Sequence, residues 1–236
     1  RSTFTRQDFQ RFQTSLRQET ALLTEWFRKG RFAPTGGMGG FEIEAWLVDR
    51  RGKPAPLNQR FLERMANPLV VPELSVFNIE LNTPPLPLCG DALRRMHANL
   101  DSLWRDCQQA AAELDATVTL IGILPTLRDQ DLIPENMSSQ QRYRAINDQI
   151  LQRRRGQPMD LAIHGTETLH LTHQDVMLEA ATTSFQTHLQ VTVDQAAVFF
   201  NAALLLSAPM VAVAANSPLL FGKTLWEETR IPLFEQ

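Results

Sequence analysis

Between residues 5 and 29 the apolar positions Phe9, Phe12, Leu16, Leu23, Trp26 and Phe27 recur at spacings that put them on one side of a helix. Thr5, with Asp8 three residues on, opens that helix, and Gly30 closes it. The period then changes. After a glycine-rich stretch at 34–40, Phe41-Glu42-Ile43-Glu44-Ala45-Trp46-Leu47-Val48 alternates every second residue and predicts a strand, ended by a turn at 49–53. A short helix is expected at 59–67. A strand at 76–82 is stopped by Pro84 and Pro85. A long helix at 91–114 carries Leu93, Met96, Leu100, Leu103, Trp104 and Cys107 on its apolar side. There follow a buried strand at 117–123, a helix from Ser138 or Ser139 to Arg155, and a single alternating strand at 161–173. A strand at 184–193, a helix capped by Asp194 and running to Ser207, and a short strand at 211–214 complete the order, with irregular chain from Asn216. Helices and strands do not alternate with βαβ spacing, and the strands carry polar residues on one side. The fold class is therefore α+β, with an antiparallel sheet that has helices on one face and leaves the other open.

The stretch 196–215, AAVFFNAALLLSAPMVAVAA, has the length of a membrane span. Asn201, Ser207 and Pro209 interrupt it and no Lys or Arg cluster flanks it, so it is read as a buried core helix followed by a short strand, with no membrane involved. With 236 residues, 43% of them hydrophobic, the chain has the size of one large or two small domains and the apolar content to fold. Its net charge of −3 supplies no basic excess for a phosphate backbone, which argues against nucleic acid as a partner. The two cysteines, Cys89 and Cys107, make neither a disulfide framework nor a zinc site; both thiols are expected to be packed, in a reducing compartment. The N-terminal residues are charged from the start and lack the apolar core of a signal peptide, so a cytoplasmic location is expected. The glycines at 36, 37, 39 and 40 precede a strand, and no P-loop lysine accompanies them, which excludes the Walker and Rossmann readings.

The strands hold the informative residues. Glu42 and Glu44, two apart, point to the same face, opposite Phe41, Ile43 and Ala45. Such a pair fits a solvated strand, but a divalent cation would also turn its repulsion into attraction. Glu80 lies within an otherwise apolar strand, with Asn78 and Asn82 on its side, and Glu73 stands seven residues earlier. Ser184, Gln186, His188, Gln190 and Thr192 form a third polar stripe. Three such stripes line a wet, ligand-filled cleft more readily than a core. Carboxylates outnumber histidines, favouring Mg²⁺ or Mn²⁺ over zinc. His170 and His173 have no third ligand and are assigned no metal.

The order Gly40-Phe41-Glu42-Ile43-Glu44, then Phe77-Asn78-Ile79-Glu80-Leu81-Asn82-Thr83-Pro84-Pro85, then Thr187-His188-Leu189-Gln190-Val191, then Asn216-Ser217-Pro218 and Arg230 resembles glutamate–cysteine ligase family 2. The resemblance implies a curved, mainly antiparallel sheet of the glutamine-synthetase and guanido-kinase type, with helices packed on its convex face. It implies ATP as co-substrate, held through Mg²⁺ (or Mn²⁺) by Glu42, Glu44, Glu73, Glu80 and His188. The expected reaction phosphorylates the γ-carboxylate of glutamate, after which an amine, cysteine in the usual case, displaces phosphate. His188 and Arg230 are the implied catalytic residues; Arg142, Tyr143, Arg144, Gln186, Gln190 and Asn216 are the implied substrate-side residues. Arg230 also fits a surface ion pair with Glu227 or Glu228, and residues 142–144 an exposed basic helix. The family pattern makes residues 1–236 a single catalytic domain, the front portion of a longer ligase whose sheet is finished by later strands. The implied partners are glutamate, the amine and ATP, and a homo-oligomer is compatible. Two other readings stay open: a nucleotide- or amino-acid-binding regulatory domain without turnover, and a metal-dependent hydrolase.

Overall fold

The structure is a computed structural model that describes residues 3–235. Along the chain run α1 (Arg6–Arg28), β1 (Met38–Asp49), α2 (Asn58–Met65), β2 (Val70–Pro72), β3 (Asn78–Asn82), β4 (Leu86–Pro87), α3 (Ala92–Ala112), β5 (Ala116–Thr119) and α4 (Gln141–Arg153). These are followed by β6 (Met159–His164), β7 (Thr168–His173), β8 (Phe185–Gln190), α5 (Ala196–Ala214), β9 (Leu219–Leu220), β10 (Lys223–Thr224) and α6 (Arg230–Phe234). The α+β class expected from the pattern holds, and every strand pairing between these strands is antiparallel.

The twelve residues of β1 organise the sheet. One edge pairs with β4 at Met38 and Gly39 and with β3 from Glu42 to Trp46. The other edge pairs with β8 from Met38 to Ile43 and with β5 from Trp46 to Asp49. β2 extends the sheet beyond β3; the sequence pattern did not predict it, because three residues are too few to show a period.

Alternation along β1 separates two cores. Ala45 and Leu47 face a cluster with Ile79, Leu81, Phe61, Leu103 and Cys107, so α2 and α3 cover that side. Trp46 and Val48 face a second cluster with Phe77, Ile123, Leu161, Ile163 and Met177. The face predicted to be open is thus covered by a core at the Val48 end, while from Gly40 to Glu44 it carries half-buried carboxylates. Loss of a fully buried anchor such as Phe61 would cost about 3–5 kcal/mol.

Four expectations are corrected. Residues 161–173 form a hairpin, β6 and β7, because Gly165 turns the chain where a Cβ would come within 2.5 Å of the Leu225 backbone. Residues 211–214 are helical: α5 runs through Pro209 to Ala214. The segment from Asn216, expected to be irregular, carries β9, β10 and α6. Cys89 is exposed, whereas Cys107 is buried and its thiol is pushed up to about 12 by burial.

The α5 helix is also not the buried element expected. Its apolar residues surround the axis, yet none is buried, and among the described residues it is the one helix long and apolar enough to cross a membrane. The chain on either side of it is fastened to the body. Before the helix, Gly37 N donates to Gln190 O at 2.9 Å; after it, Gly122 N donates to Asn216 Oδ1 at 3.1 Å. α1, despite the predicted capping box between Thr5 and Asp8, likewise buries no residue.

Candidate active site

β1 sets Gly40, Glu42 and Glu44 on one face, with partners fixed by register. Glu44 lies opposite Glu80 on β3, and Glu42 lies between Asn82 on β3 and Gln186 on β8. Gly40 lies opposite His188. Cross-strand neighbours on one face approach to about 5 Å between Cβ atoms, so the pairing alone collects these polar groups.

Hydrogen bonds orient the carboxylates. Glu42 Oε1 accepts from Gln186 Nε2 at 2.8 Å, and Glu42 Oε2 lies 3.4 Å from His188 Nε2. Glu44 Oε2 accepts from Ser184 N at 2.8 Å, Glu80 Oε1 from Asn82 Nδ2 at 2.6 Å, and Glu73 Oε2 from Leu74 N at 3.1 Å. Burial raises the Glu44 carboxyl, with Glu80 and Glu42 adding repulsion against the Ser184 hydrogen bonds. Glu73 is pushed up to about 7, first by burial, then by a hydrogen bond with the Glu80 carboxyl and by the Glu44 charge.

Glu42 and Glu44 open onto different cavities. Glu42, Asn82, His188 and Gln190 border one of about 480 Å³, floored by Gly39 and Gly40. A Cβ at Gly40 would meet nothing closer than 3.4 Å, so packing does not demand the glycine there; its absent side chain leaves room. Glu44, Glu73 and Tyr143 border the second cavity, of about 210 Å³. Because Glu42 and Glu44 are neighbours on one face, the cavities lie side by side along the strand.

Other expected site residues take different places. Tyr143, on α4, reaches the smaller cavity, and its hydroxyl is raised by burial and by the Glu73 charge. Arg142 donates from Nη2 to the Tyr143 hydroxyl at 2.7 Å and lies over its ring at 4.6 Å, while Arg144 is exposed. Arg230 Nε donates to Glu228 Oε1 at 2.6 Å, Nη2 pairs with Glu228 Oε2, and Nη1 donates to Thr183 O at 2.7 Å. That guanidinium ties α6 to the segment before β8, realising the ion pair with Glu228. Asn216 does similar work on Gly122, where any Cβ would strike both Asn216 and Arg230. Among the described residues, Glu80, Arg142, Arg144, Gln186, Asn216 and Arg230 border neither cavity.

Sequence reasoning missed Glu179 and Thr182, which close the smaller cavity from the 3-10 segment Val176–Ala181 and the residue after it. Such a short segment has no period that could have singled them out. It also noted Asn78 without a role; Asn78 borders this cavity and its Nδ2 is buried with no partner.

Among the described residues no three His, Cys, Asp or Glu side chains converge into a cluster that could hold an ion by itself. The donor chemistry nevertheless fits a hard divalent cation. Mg²⁺ commonly uses one or two carboxylates, completing its shell with water and phosphate oxygens. The mutual repulsion of Glu44, Glu73 and Glu80 is what such a cation relieves.

Among solved structures, the chain is similar to the glutamate–cysteine ligase of Francisella tularensis in complex with AMP. Identity is 15% and the TM-score 0.46, over 73% of this chain and 30% of that one. The chain therefore spans under a third of that structure's length. A comparison with curated proteins finds no match. The sequence model of glutamate–cysteine ligase family 2 matches residues 38–236, from the first residue of β1 through both cavities and α6, and the chain belongs to that family.

Proposed function

We propose that this chain carries the nucleotide- and glutamate-binding part of an ATP-dependent ligase that joins the γ-carboxylate of glutamate to an amine. The observation that carries the reading is the side-by-side opening of Glu42 and Glu44 onto two cavities from one strand face. A ligase of this class must bring a triphosphate and a carboxylate together in line, then admit an amine to the same carbon. Two adjoining cavities with a shared acidic wall meet that requirement.

The larger cavity takes the nucleotide phosphates over Gly39 and Gly40. The residues that would hold Mg²⁺ or Mn²⁺ are Glu42 and His188 on that side, and Glu44 and Glu73 on the other, with Glu80 hydrogen-bonded to Glu73. When bound, the cation supplies charge neutralisation for the phosphates. Gln186 fixes the Glu42 carboxylate and the Ser184 amide fixes Glu44, so both are oriented before substrate arrives. In the reaction, a γ-carboxylate oxygen of glutamate bonds to the terminal phosphorus of ATP as the bond to ADP breaks. The amine nitrogen then bonds to the acyl carbon, phosphate leaves, and the amine gives up a proton. No side chain forms a covalent bond to substrate.

The test uses the full-length protein with ATP, Mg²⁺, glutamate and a panel of amines, following ADP release. Release that requires both glutamate and an amine, and that Glu42→Gln or Glu80→Gln abolishes in a folded protein, supports the ligase. ADP formed without an amine identifies a hydrolase, and tight nucleotide binding without release a regulatory domain. Unchanged turnover in both variants would remove the carboxylates from the reaction.

A further inference from the structure

The β6–β7 hairpin carries histidines that border neither cavity. Its inner face sends Leu161 and Ile163 into the core, so alternation turns Asp160, Ala162 and His164 outward on β6, and Thr168, His170 and Thr172 outward on β7. His173, the other histidine of β7, lies on the buried side and is held there by Asp129. The register pairs His170 with Ala162 and His164 with Thr168, which makes His164 and His170 diagonal neighbours on the outer face. Their rings meet edge to face, with centroids 5.2 Å apart and planes at 72°. The backbone beneath them is fixed from outside the hairpin. Trp226 Nε1 donates to His164 O at 2.8 Å, Glu167 N donates to Thr224 O at 2.8 Å, and Lys223 Nζ donates to Glu167 Oε1 at 2.8 Å. Neither strand contains a Lys or Arg, and Asp160 adds a carboxylate to the same face, where it accepts from Thr172 Oγ1 at 2.8 Å.

The separation of the rings is that of two ligands on one tetrahedral ion. A Zn–N bond is about 2.0–2.1 Å and the ring centre lies about 1.1 Å further along the same line, so metal and centroid are about 3.2 Å apart. Two such vectors at the tetrahedral angle put the centroids about 5.2 Å apart, whereas at a right angle they would be about 4.5 Å apart. Thr168 Oγ1 lies 3.5 Å from His164 Nδ1, a hydroxyl placed to take the proton of that nitrogen and leave Nε2 as the ligand. We propose that His164 and His170 form a zinc site on the outer face of the hairpin, its two other positions held by water. Held on paired strands, the imidazoles act as a chelate, because the second meets an ion that the first already holds. With two protein ligands the site exchanges its ion with solution, unlike a closed structural zinc site with four. Imidazole nitrogens favour zinc over the hard Mg²⁺ that suits the carboxylates of β1. The site is therefore distinct in chemistry from the acidic face, and its ion fastens β6 to β7 without entering the ligase reaction.

The test is a calorimetric titration of the full-length protein with zinc chloride in excess Mg²⁺. Wild type should show a zinc-binding event that His164→Ala and His170→Ala each weaken by about tenfold or more. The double variant should lose no more than either single one, because one imidazole cannot chelate. Both residues are exposed, so these substitutions leave the core intact. His188→Ala and Cys89→Ser, which remove the histidine of the acidic face and the exposed thiol, should retain the event. Zinc should also raise the melting temperature of wild type and not that of the double variant. Absence of zinc binding in wild type would reduce the two histidines to a ring contact and overturn the site. Binding that survives the double variant, or that only His188→Ala abolishes, would place the ion elsewhere and overturn it too. ADP release with Mg²⁺ alone should be equal in wild type and the double variant, so failure of the ligase reading leaves the zinc result standing.

Discussion

Replacing Glu73 by Gln should make the metal-free protein more stable at alkaline pH and leave it unchanged at acid pH. In the folded chain the Glu73 carboxyl ionises near 7 against an ordinary value of 4.5, because burial, Glu80 and Glu44 all disfavour the anion. The folded state therefore keeps a proton that the unfolded state has already released. Stability is fully present below pH 4.5, falls as the pH rises towards 7, and is level beyond it. A displacement of that size corresponds to at most about 3 kcal/mol, and partial exposure with solvent screening reduces it to about 1–2 kcal/mol. Glutamine has the shape of the protonated acid: its amide can donate to Glu80 and accept from Leu74 N, as Glu73 does. Thermal melts with chelator at pH 5 and pH 8 read the effect. The variant should melt about 3–6 °C above wild type at pH 8 and within error of it at pH 5. Added Mg²⁺ should stabilise wild type more than the variant at pH 8. Parallel melting profiles for the two proteins, or a variant less stable at pH 8, would refute the account of acidic crowding at this site. A gain in stability with a loss of turnover is the usual signature of a functional carboxylate.

Gly40→Val should weaken nucleotide binding at least tenfold in a fluorescence titration with an ATP analogue, while the melting temperature changes little, since the strand tolerates a Cβ there. Unimpaired binding would move the nucleotide away from the larger cavity. Arg230→Ala should destabilise the fold by about 2–4 kcal/mol in urea, because it strands the buried Glu228 carboxylate; a silent substitution would show the ion pair to be dispensable. His173 is held by Asp175 and, at 2.8 Å, by Asp129, which raise its pKa against burial. Its pairing stabilises the fold most below pH 6.5 and the gain is lost as the pH rises through the folded value. His173→Asn should therefore cost more at pH 6 than at pH 9 in the same melts, and an equal cost at both would sink the charged pairing.

Much of the acidic face was legible because a strand translates sequence parity directly into direction. Once Phe41 to Val48 was read as a strand, Glu42 and Glu44 had to share a face, and the pairing with β3 and β8 brought Glu80, Gln186 and His188 beside them. Parity says nothing about what covers a face, so the burial of Trp46 and Val48 under the hairpin was invisible. The Gly165 turn was present as a signal, a glycine inside an alternating run, and the alternation on either side masked it. Long-range ties such as Arg230 to Thr183, 47 residues apart, have no local signature at all. Glu179 lies in a 3-10 segment too short to carry a period, and it became a candidate only when the cavity appeared.

The anchoring of α5 decides what immersion in lipid would entail. Its 19 residues span about 28 Å. The fastenings on either side lie beside residue 37 and, through Gly122, Thr183 and Ser184, beside residue 44 of the same strand, about 23 Å apart along an extended chain. Both flanks of the helix are thus tied to the two ends of the acidic stretch of β1. A bilayer that drew the helix in would pull on those two ties, and any of Glu42, Glu44 and Glu80 that followed into the hydrocarbon would cost about 2.5–3.5 kcal/mol or more.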